Sequence, residues 1–179
     1  SAGKIFITPI GTSTVSKKII GYALSFPTVI TCDAIVVRTI SATSISRALD
    51  LTPFIVNPIK SIDFGPALII EDLIAPAALD IVIKNPLPLT KLKIKAPLAM
   101  KVDIATKAVN GSIDILTATA PGSTFSAPDL ATVQGDLVLT CGKADLNDLT
   151  VIQGNCAVAA TTISAPIIAS VAGNLTITS

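Results

Sequence analysis

Four aspartates occupy the middle of apolar-x-apolar triplets, a position from which a strand turns a side chain outward. They are Asp63, Asp80, Asp103 and Asp114. If neighbouring coils of the chain align, Asp80, Lys93, Asp103 and Asp114 form one column. Such a column could bind Ca²⁺ through its carboxylates or act on a sugar as a carboxylate pair. More often, charges placed in this way pair across strands and keep a sheet face soluble. We therefore expect no catalytic residue, no metal site and no cofactor.

The absence of histidine removes several kinds of chemistry. Without an imidazole, the chain has neither Ser-His-Asp nor Cys-His nucleophilic catalysis, and it lacks the usual zinc sites. Its glycines are spread singly along the repeats, so no glycine-rich phosphate loop is formed. The sequence therefore predicts a protein that is not an enzyme.

One stretch is basic. Lys91-Leu92-Lys93-Ile94-Lys95 alternates lysine with aliphatic residues, which predicts a strand with three lysines on one face. Lys84, Lys101 and Lys107 are nearby in the sequence. Nucleic-acid binding would need arginines and interleaved aromatic residues for stacking, and this stretch has neither. We expect a solvated strand face and no nucleic-acid partner, with contact to an anionic glycan or surface as the alternative.

The cysteines and two asparagines are candidates for covalent modification. Cys32, Cys141 and Cys156 form no metal-binding pattern, and their odd number leaves two interpretations. They are buried small hydrophobic side chains, or they form one disulfide and leave a free thiol. Asn110 and Asn174 each begin a sequence that matches the N-glycosylation pattern. These two asparagines are the predicted glycosylation sites.

The elements that must position these residues are repeats, clearest in the last third of the chain. Gly135, Gly154 and Gly173 are nineteen residues apart. Each follows aliphatic residues and precedes an apolar-x-apolar triplet, and Gly111 has the same ending. A fixed period of about twenty is typical of a solenoid, in which each coil buries its apolar face against its neighbours.

The middle of the chain has proline at its apolar junctions, at Pro58, Pro76, Pro86 and Pro97. Proline cannot donate to a sheet ladder, so it belongs at corners between short strands.

Apolar residues make up 50% of the chain but aromatic residues only 3%, which suits a narrow interior of stacked aliphatic side chains. A short helix is the interpretation only for 42–51. The predicted fold is mainly β, an elongated β-solenoid of the leucine-rich-repeat or β-helix kind, with a β-sandwich as the alternative.

The chain divides into two parts. Residues 1–30 do not follow the repeat and are predicted to form an N-terminal cap or an extension strand. Residues 31–179 are predicted to be β-solenoid repeats, clearest over 109–179.

Pro, Thr, Ser, Lys or Asp interrupts every apolar run, so no run reaches the roughly 20 residues of a membrane span. Only 14% of residues are charged, and the excess apolar surface predicts a homo-oligomer or a head-to-tail polymer.

A resemblance to known families rests on two stretches of the repeat, Ser126-Ala127-Pro128-Asp129-Leu130-Ala131-Thr132-Val133-Gln134-Gly135-Asp136-Leu137-Val138-Leu139 and Ala165-Pro166-Ile167-Ile168-Ala169-Ser170-Val171-Ala172-Gly173-Asn174-Leu175-Thr176-Ile177. They resemble the coils of receptor-L-type and related extracellular leucine-rich-repeat solenoids, in which a proline-leucine turn leads to a glycine-asparagine corner and a short strand. The single glycine per coil is also similar to bactofilin-type β-helices, which polymerise end to end. The resemblance implies a secreted or surface-displayed solenoid that binds or builds.

These features predict a non-catalytic structural protein, a self-associating extracellular or cell-surface filament or coat subunit. The alternative is a monomeric, adhesin-like solenoid module that binds a glycan or a surface protein. A β-helix enzyme acting on polysaccharide comes third. It would need aspartates and a lysine or arginine in one cleft, which the strand register of 60–115 decides.

Overall fold

The protein is a stack of short strands wound into coils. The computed structural model describes residues 5–10, 14–15, 30–31, 34–40, 48–52, 60–63, 70–84 and 87–179. Within these ranges the chain forms strands and turns and no helix. Three parallel sheets stack into a β-solenoid of about six turns. The predicted mainly β solenoid is confirmed, and the β-sandwich alternative does not hold because its sheets would be antiparallel.

The first sheet has eight strands in spatial order. They are β1 (Ile5–Ile10), β4 (Ala34–Ile40), β6 (Ser61–Asp63), β8 (Asp80–Lys84), β10 (Lys101–Ala105), β13 (Thr124–Ser126), β16 (Lys143–Asp145) and β19 (Thr162–Ser164). β1 pairs with β4 in the antiparallel sense, and every later pair is parallel. A separate antiparallel pair is formed by β2 (Thr14–Val15) and β3 (Ile30–Thr31).

The second and third sheets are parallel throughout. The second sheet contains β5 (Ala48–Asp50), β7 (Asp72–Ile74), β9 (Leu92–Lys95), β12 (Ile113–Leu116), β15 (Leu137–Thr140), β18 (Cys156–Ala159) and β21 (Leu175–Thr178). The third contains β11 (Ala108–Val109), β14 (Thr132–Val133), β17 (Val151–Ile152) and β20 (Ser170–Val171). Each of the later coils therefore passes through the first, third and second sheets in turn.

The nineteen-residue spacing of the repeat glycines is the length of the last coils. Thr124, Lys143 and Thr162 occupy equivalent positions in neighbouring strands, and hydrogen bonds between these coils join residues 19 apart. The preceding coil is longer, because Lys101 aligns with Thr124. The irregular spacing in the middle of the sequence thus reflects coils of unequal length.

Inward side chains of successive coils form continuous apolar rows. The row of the first sheet contains Ile62, Ile81, Val102, Phe125 and Ala144, and all five are buried. The row of the second sheet contains Leu73, Ile94, Ile115, Leu139 and Val158, which are also buried. Side chains alternate between the two faces of a strand, so one face fills the interior and the other meets solvent. Phe125 is the largest of the fully buried residues, and its neighbour in the row is the small Ala144.

Prolines occupy the corners of the coils, as the sequence predicts. In Ala96-Pro97-Leu98-Ala99 the amide of Ala99 donates to the carbonyl oxygen of Ala96 at 2.9 Å, and Ala75–Ala78 closes in the same way at 3.2 Å. Proline suits the second position of such a turn because its φ angle is already fixed there. Pro58 and Pro86 lie outside the described residues.

Two interpretations concern the beginning of the chain. The antiparallel pairing of β1 and of β2 with β3 differs from the parallel coils that follow, while the division between cap and repeats at residue 30 stays a prediction. The predicted short helix over 42–51 is wrong for Ala48–Asp50, because these residues form β5, which pairs in parallel with β7. The backbone groups of β5 find their partners in the neighbouring coil rather than within one turn of helix. Residues 42–47 lie outside the described ranges.

Candidate assembly surface

The outward aspartates do not form one column, because they belong to two different sheets. Lys93 and Asp114 are neighbours on the second sheet, as predicted. Asp80 and Asp103 lie on the first sheet, where Asp80 aligns with Lys101 and Asp103 aligns with Val82. The predicted column of four is therefore wrong as a whole, since coils of different length bring different triplets into register.

The charges that do meet are of opposite sign. Asp72 aligns with Lys93, and its carboxylate lies 3.6 Å from the Nζ atom of Lys91. Lys101 and Asp103 form an ion pair at 3.2 Å on the first sheet. Exposed pairs of this kind stabilise by about 0–1 kcal/mol and mainly keep the face soluble. Among the described residues, no group of three or more Cys, Asp or Glu side chains could hold a metal ion.

The basic stretch includes β9, which turns one face to the interior and the other to solvent. Leu92 and Ile94 are buried, whereas Lys91, Lys93 and Lys95 are exposed. The predicted alternation of β9 is therefore confirmed. Lys84, Lys101 and Lys107 are exposed as well. With Asp72 and Asp114 on either side of Lys93, the positive charge of this face is partly balanced.

Within the described chain, no further coil packs on the last one. Its strands β19, β20 and β21 are the terminal strands of the first, third and second sheets. Leu175 and Ile177 occupy inward positions of β21 and are 58% and 59% exposed. One coil earlier, the aligned residues Cys156 and Val158 are 3% and 5% exposed. On the second sheet, the aligned inward side chains are thus buried from β9 to β18 and exposed in β21.

Further apolar residues extend this surface, which we call the C-terminal face (162–178). Ile167 and Ile168 are exposed in the turn after β19, and Ile163, Ala165 and Val171 are only partly buried. No charged residue follows Asp148 in the sequence. Natural proteins usually protect open strand edges with charges, prolines or bulges. The C-terminal face has one proline, Pro166, in its turn, and it has no charged residue.

A polar ladder runs up one corner and ends at the same face. The Asp136 carboxylate accepts hydrogen bonds from the backbone N–H of Asn155 at 2.7 Å and from its side-chain amide at 3.1 Å. The side-chain oxygen of Asn155 accepts from the backbone N–H of Asn174 at 2.9 Å. At this corner, a side-chain oxygen of one coil therefore accepts a hydrogen bond from a backbone N–H of the next coil. Asn174 holds the last position of the ladder and is exposed.

The two predicted glycosylation sites are both accessible. Asn110 lies at a corner in the middle of the solenoid, and Asn174 lies on the C-terminal face. A glycan at Asn174 would cover this face, so modification there and docking there exclude each other. Glycosylation of either residue stays a prediction.

Cys141 and Cys156 are free thiols and both are buried, in agreement with the first interpretation of the cysteines. Cys32 lies outside the described residues. Burial raises the pKa of the Cys141 thiol from 9.0 to about 11 and raises that of Cys156 as well. Because the folded protein has the higher pKa, the Cys141 thiol contributes stability that is present below pH 9 and is lost as the pH rises towards 11.

Alkylation of Cys141 by iodoacetamide at pH 8 is expected to be about 100-fold slower in the folded protein than in urea. The thiolate is the reactive form, and two pKa units reduce its fraction by about that factor. Peptide-resolved mass spectrometry measures the rate for each cysteine separately. Equal rates in folded and unfolded protein would contradict the buried position.

Comparison with family models, curated proteins and solved structures found no match for this chain. The fold itself defines the class, a parallel β-solenoid with three strands in each of its later coils. The residues that the structure describes include no helix long and apolar enough to cross a bilayer.

The sequence patterns indicate the ends of the solenoid only in general terms. They did not show that Ile167, Ile168, Leu175 and Ile177 are exposed together on the last coil. A signal for this was present, because Leu175-Thr176-Ile177 is the last apolar-x-apolar triplet of the repeat and the sequence lacks charge from residue 149 onward.

Proposed function

We propose that this chain is a non-catalytic structural protein that self-associates through its C-terminal face. The observation that carries the proposal is the exposure of Leu175 and Ile177, at positions that are buried in the preceding coil. Burying the exposed half of one such side chain contributes about 1 kcal/mol. Several of them lie on one end, beside three open strand edges that offer backbone hydrogen bonds. A second copy supplies both kinds of contact.

Of the two resemblances stated above, the one to bactofilin-type β-helices fits this proposal better. Leucine-rich repeats have one strand and a helix or 3₁₀ segment per unit, whereas the later coils here have three strands. Bactofilin-type β-helices are the nearer analogy, and they polymerise end to end. An extracellular or cell-surface location, with a role in a filament or coat, is part of the proposal.

The test compares two aliphatic-to-lysine variants by sedimentation velocity over a concentration series. Ile177→Lys places a charge on the C-terminal face, where docking would strip its water at a large cost. We expect association to weaken about 100-fold or more. Val138→Lys is the matched control, since Val138 faces outward on β15, is 40% exposed and lies two coils away. It should associate as the unchanged protein does. A native protein that stays monomeric at every concentration would contradict self-association.

A second candidate function is the monomeric module that binds a glycan or a protein. It is favoured by the outward column Val138, Ala157 and Thr176, which is aligned from coil to coil on the second sheet and is uncharged. A flat uncharged surface suits docking of another molecule. The same pair of variants separates the two functions, because a module of this kind loses its ligand in Val138→Lys and keeps it in Ile177→Lys.

A further inference from the structure

One corner of the solenoid contains the sequence Asn110-Gly111, which joins β11 to β12. It is the only asparagine-glycine pair in the chain. The side-chain amide of an asparagine can be attacked by the backbone nitrogen of the next residue, and glycine at that position has no side chain to block the approach. Asn110 is exposed, and its side-chain amide makes no hydrogen bond to the residues that the structure describes. The corner therefore presents an unrestrained amide carbon next to a glycine nitrogen that can react with it.

The backbone N–H of Gly111 differs from those of the equivalent glycines in the later coils. The N–H of Gly135 donates to the carbonyl oxygen of Gly111 at 2.9 Å, that of Gly154 to Gly135 at 3.1 Å, and that of Gly173 to Gly154 at 3.0 Å. Within the described part of the chain, the Gly111 N–H has no such partner. Its proton can therefore be removed without first breaking a hydrogen bond.

The other asparagines of the chain lack this combination of features. Asn57 and Asn85 precede proline, which has no N–H. The side-chain amide of Asn155 is held at both ends, by a carboxylate in the coil before and by a backbone N–H in the coil after. Asn147 and Asn174 precede aspartate and leucine, whose side chains crowd the backbone nitrogen. Asn110 thus stands apart from all of them.

We propose that Asn110 is a site of spontaneous deamidation, selected by the unbonded N–H of Gly111. Solvent base removes the proton of this N–H, and the nitrogen forms a bond to Cγ of Asn110. The bond from Cγ to Nδ2 breaks, and the departing nitrogen takes up a proton and leaves as ammonia. Water then opens the cyclic imide at either of its carbonyl carbons, which gives aspartate or isoaspartate. The reaction consumes water and needs no oxidant or reductant.

Conversion at this corner affects the coil that follows. The carbonyl oxygens of Val109 and Gly111 accept hydrogen bonds from the N–H groups of Gln134 and Gly135, both at 2.9 Å. Isoaspartate adds a methylene carbon to the main chain between these two acceptors, so their spacing no longer matches that of the donors. Converted chains should therefore unfold at lower urea than unconverted ones. Conversion also removes the asparagine that the glycosylation pattern requires, so the two modifications of Asn110 exclude each other.

The proposal is tested by incubating the purified full chain at mildly alkaline pH and following each asparagine by mass spectrometry after tryptic digestion. Cleavage after Lys107 and Lys143 gives a peptide, 108–143, that contains Asn110 and no other asparagine. We expect this peptide to convert about tenfold faster than 144–179, or more. Chromatography should resolve both aspartate and isoaspartate, the signature of a cyclic imide. An Asn110 that stays intact in the folded chain, under conditions that convert it in urea, would overturn the site.

Asn110→Gln is the matched control for the chemistry. Glutamine already precedes the corner glycine in the next two coils, at Gln134 and Gln153, and is exposed in both. The variant should therefore fold as the unchanged chain does. Its longer side chain would have to close a larger ring, so peptide 108–143 should stay unconverted. Conversion of this peptide at the rate of the unchanged chain would place the reaction elsewhere and overturn the proposal.

Gln134→Asn tests the role of the unbonded N–H. It creates a second asparagine-glycine pair, at a corner where the N–H of Gly135 donates to Gly111. In the folded protein, we expect this second site to convert about fivefold more slowly than Asn110, the factor that corresponds to one typical hydrogen bond. Fragment ions of peptide 108–143 compare both sites in one sample. In urea the two rates should be similar, because this hydrogen bond is lost. Equal rates in the folded protein would overturn selection by the Gly111 N–H.

Discussion

Truncating Phe125 to alanine is expected to lower the free energy of unfolding by about 3–5 kcal/mol, the usual cost of removing a buried aromatic side chain. Phe125 is fully buried in the inward row of the first sheet, between Val102 and Ala144. Ala144 is too small to fill the space, and the parallel backbones on both sides hold the coils at a fixed separation. A cavity would therefore remain rather than collapse.

Urea unfolding followed by circular dichroism measures this loss. Leu98→Ala is the matched control, because Leu98 is also a large apolar residue but is 54% exposed in a corner turn. Its truncation should change the free energy of unfolding by less than about 0.5 kcal/mol. Similar losses for the two variants would contradict the interior position of Phe125.

Replacing Gly154 with valine is expected to destabilise the last two coils by about 3 kcal/mol, at the upper end of overpacking costs. A Cβ atom at this position would lie 2.6 Å from the carbonyl carbon of Gly135 in the coil below. It would also crowd the Asp136 carboxylate, which accepts a hydrogen bond from the backbone N–H of Asn155. The atoms in the way belong mainly to backbone, which cannot rotate aside as a side chain can. Glycine is required here by the close approach of neighbouring coils.

Gly122→Ala provides the control for this substitution. A Cβ atom at Gly122 would meet only the terminal methyl carbon of Met100, at 3.8 Å, which is ordinary contact. We expect the variant to unfold at nearly the same urea concentration as the unchanged protein, whereas Gly154→Val should shift the transition to clearly lower urea. A tolerated valine at Gly154 would contradict the stacking of the glycine corners.

The proposed self-association makes the protein's stability depend on its concentration, because binding to the folded state alone shifts unfolding by mass action. Both substitutions above should therefore be compared at one fixed protein concentration. The Phe125 and Gly154 positions lie inside the solenoid, so the effects of both substitutions are expected in the single chain as well as in an assembly.

One buried side chain, Glu71, illustrates what sequence reasoning could not predict. Glu71 is 3% exposed, and its carboxylate accepts hydrogen bonds from the backbone N–H of Thr90 at 2.6 Å and from the Thr90 hydroxyl at 2.8 Å. A buried carboxylate is tolerated because it is hydrogen-bonded. Its partner is nineteen residues away, in a part of the chain where the repeat is irregular. Neither local pattern nor composition connects the two residues.

The sequence by itself determined the features that repeat locally. The alternation in Lys91–Lys95 placed Leu92 and Ile94 inside, the spacing of Gly135 and Gly154 fixed the length of the last coils, and the alanine-proline pairs marked corners. The alternation follows from the two-residue period of a strand and the corners follow from the fixed φ angle of proline, and both act over a few residues. The glycines recur once per coil because neighbouring coils approach closely at that corner.

Only the tertiary structure decided which coils align. Asp80 and Asp103 lie on a different face from Lys93 and Asp114 because the number of residues in each corner varies, and local periodicity does not record that number. The exposure of Ile177 was decided in the same way. An inward position becomes interior only when another coil covers it, and this depends on neighbours in space rather than in sequence.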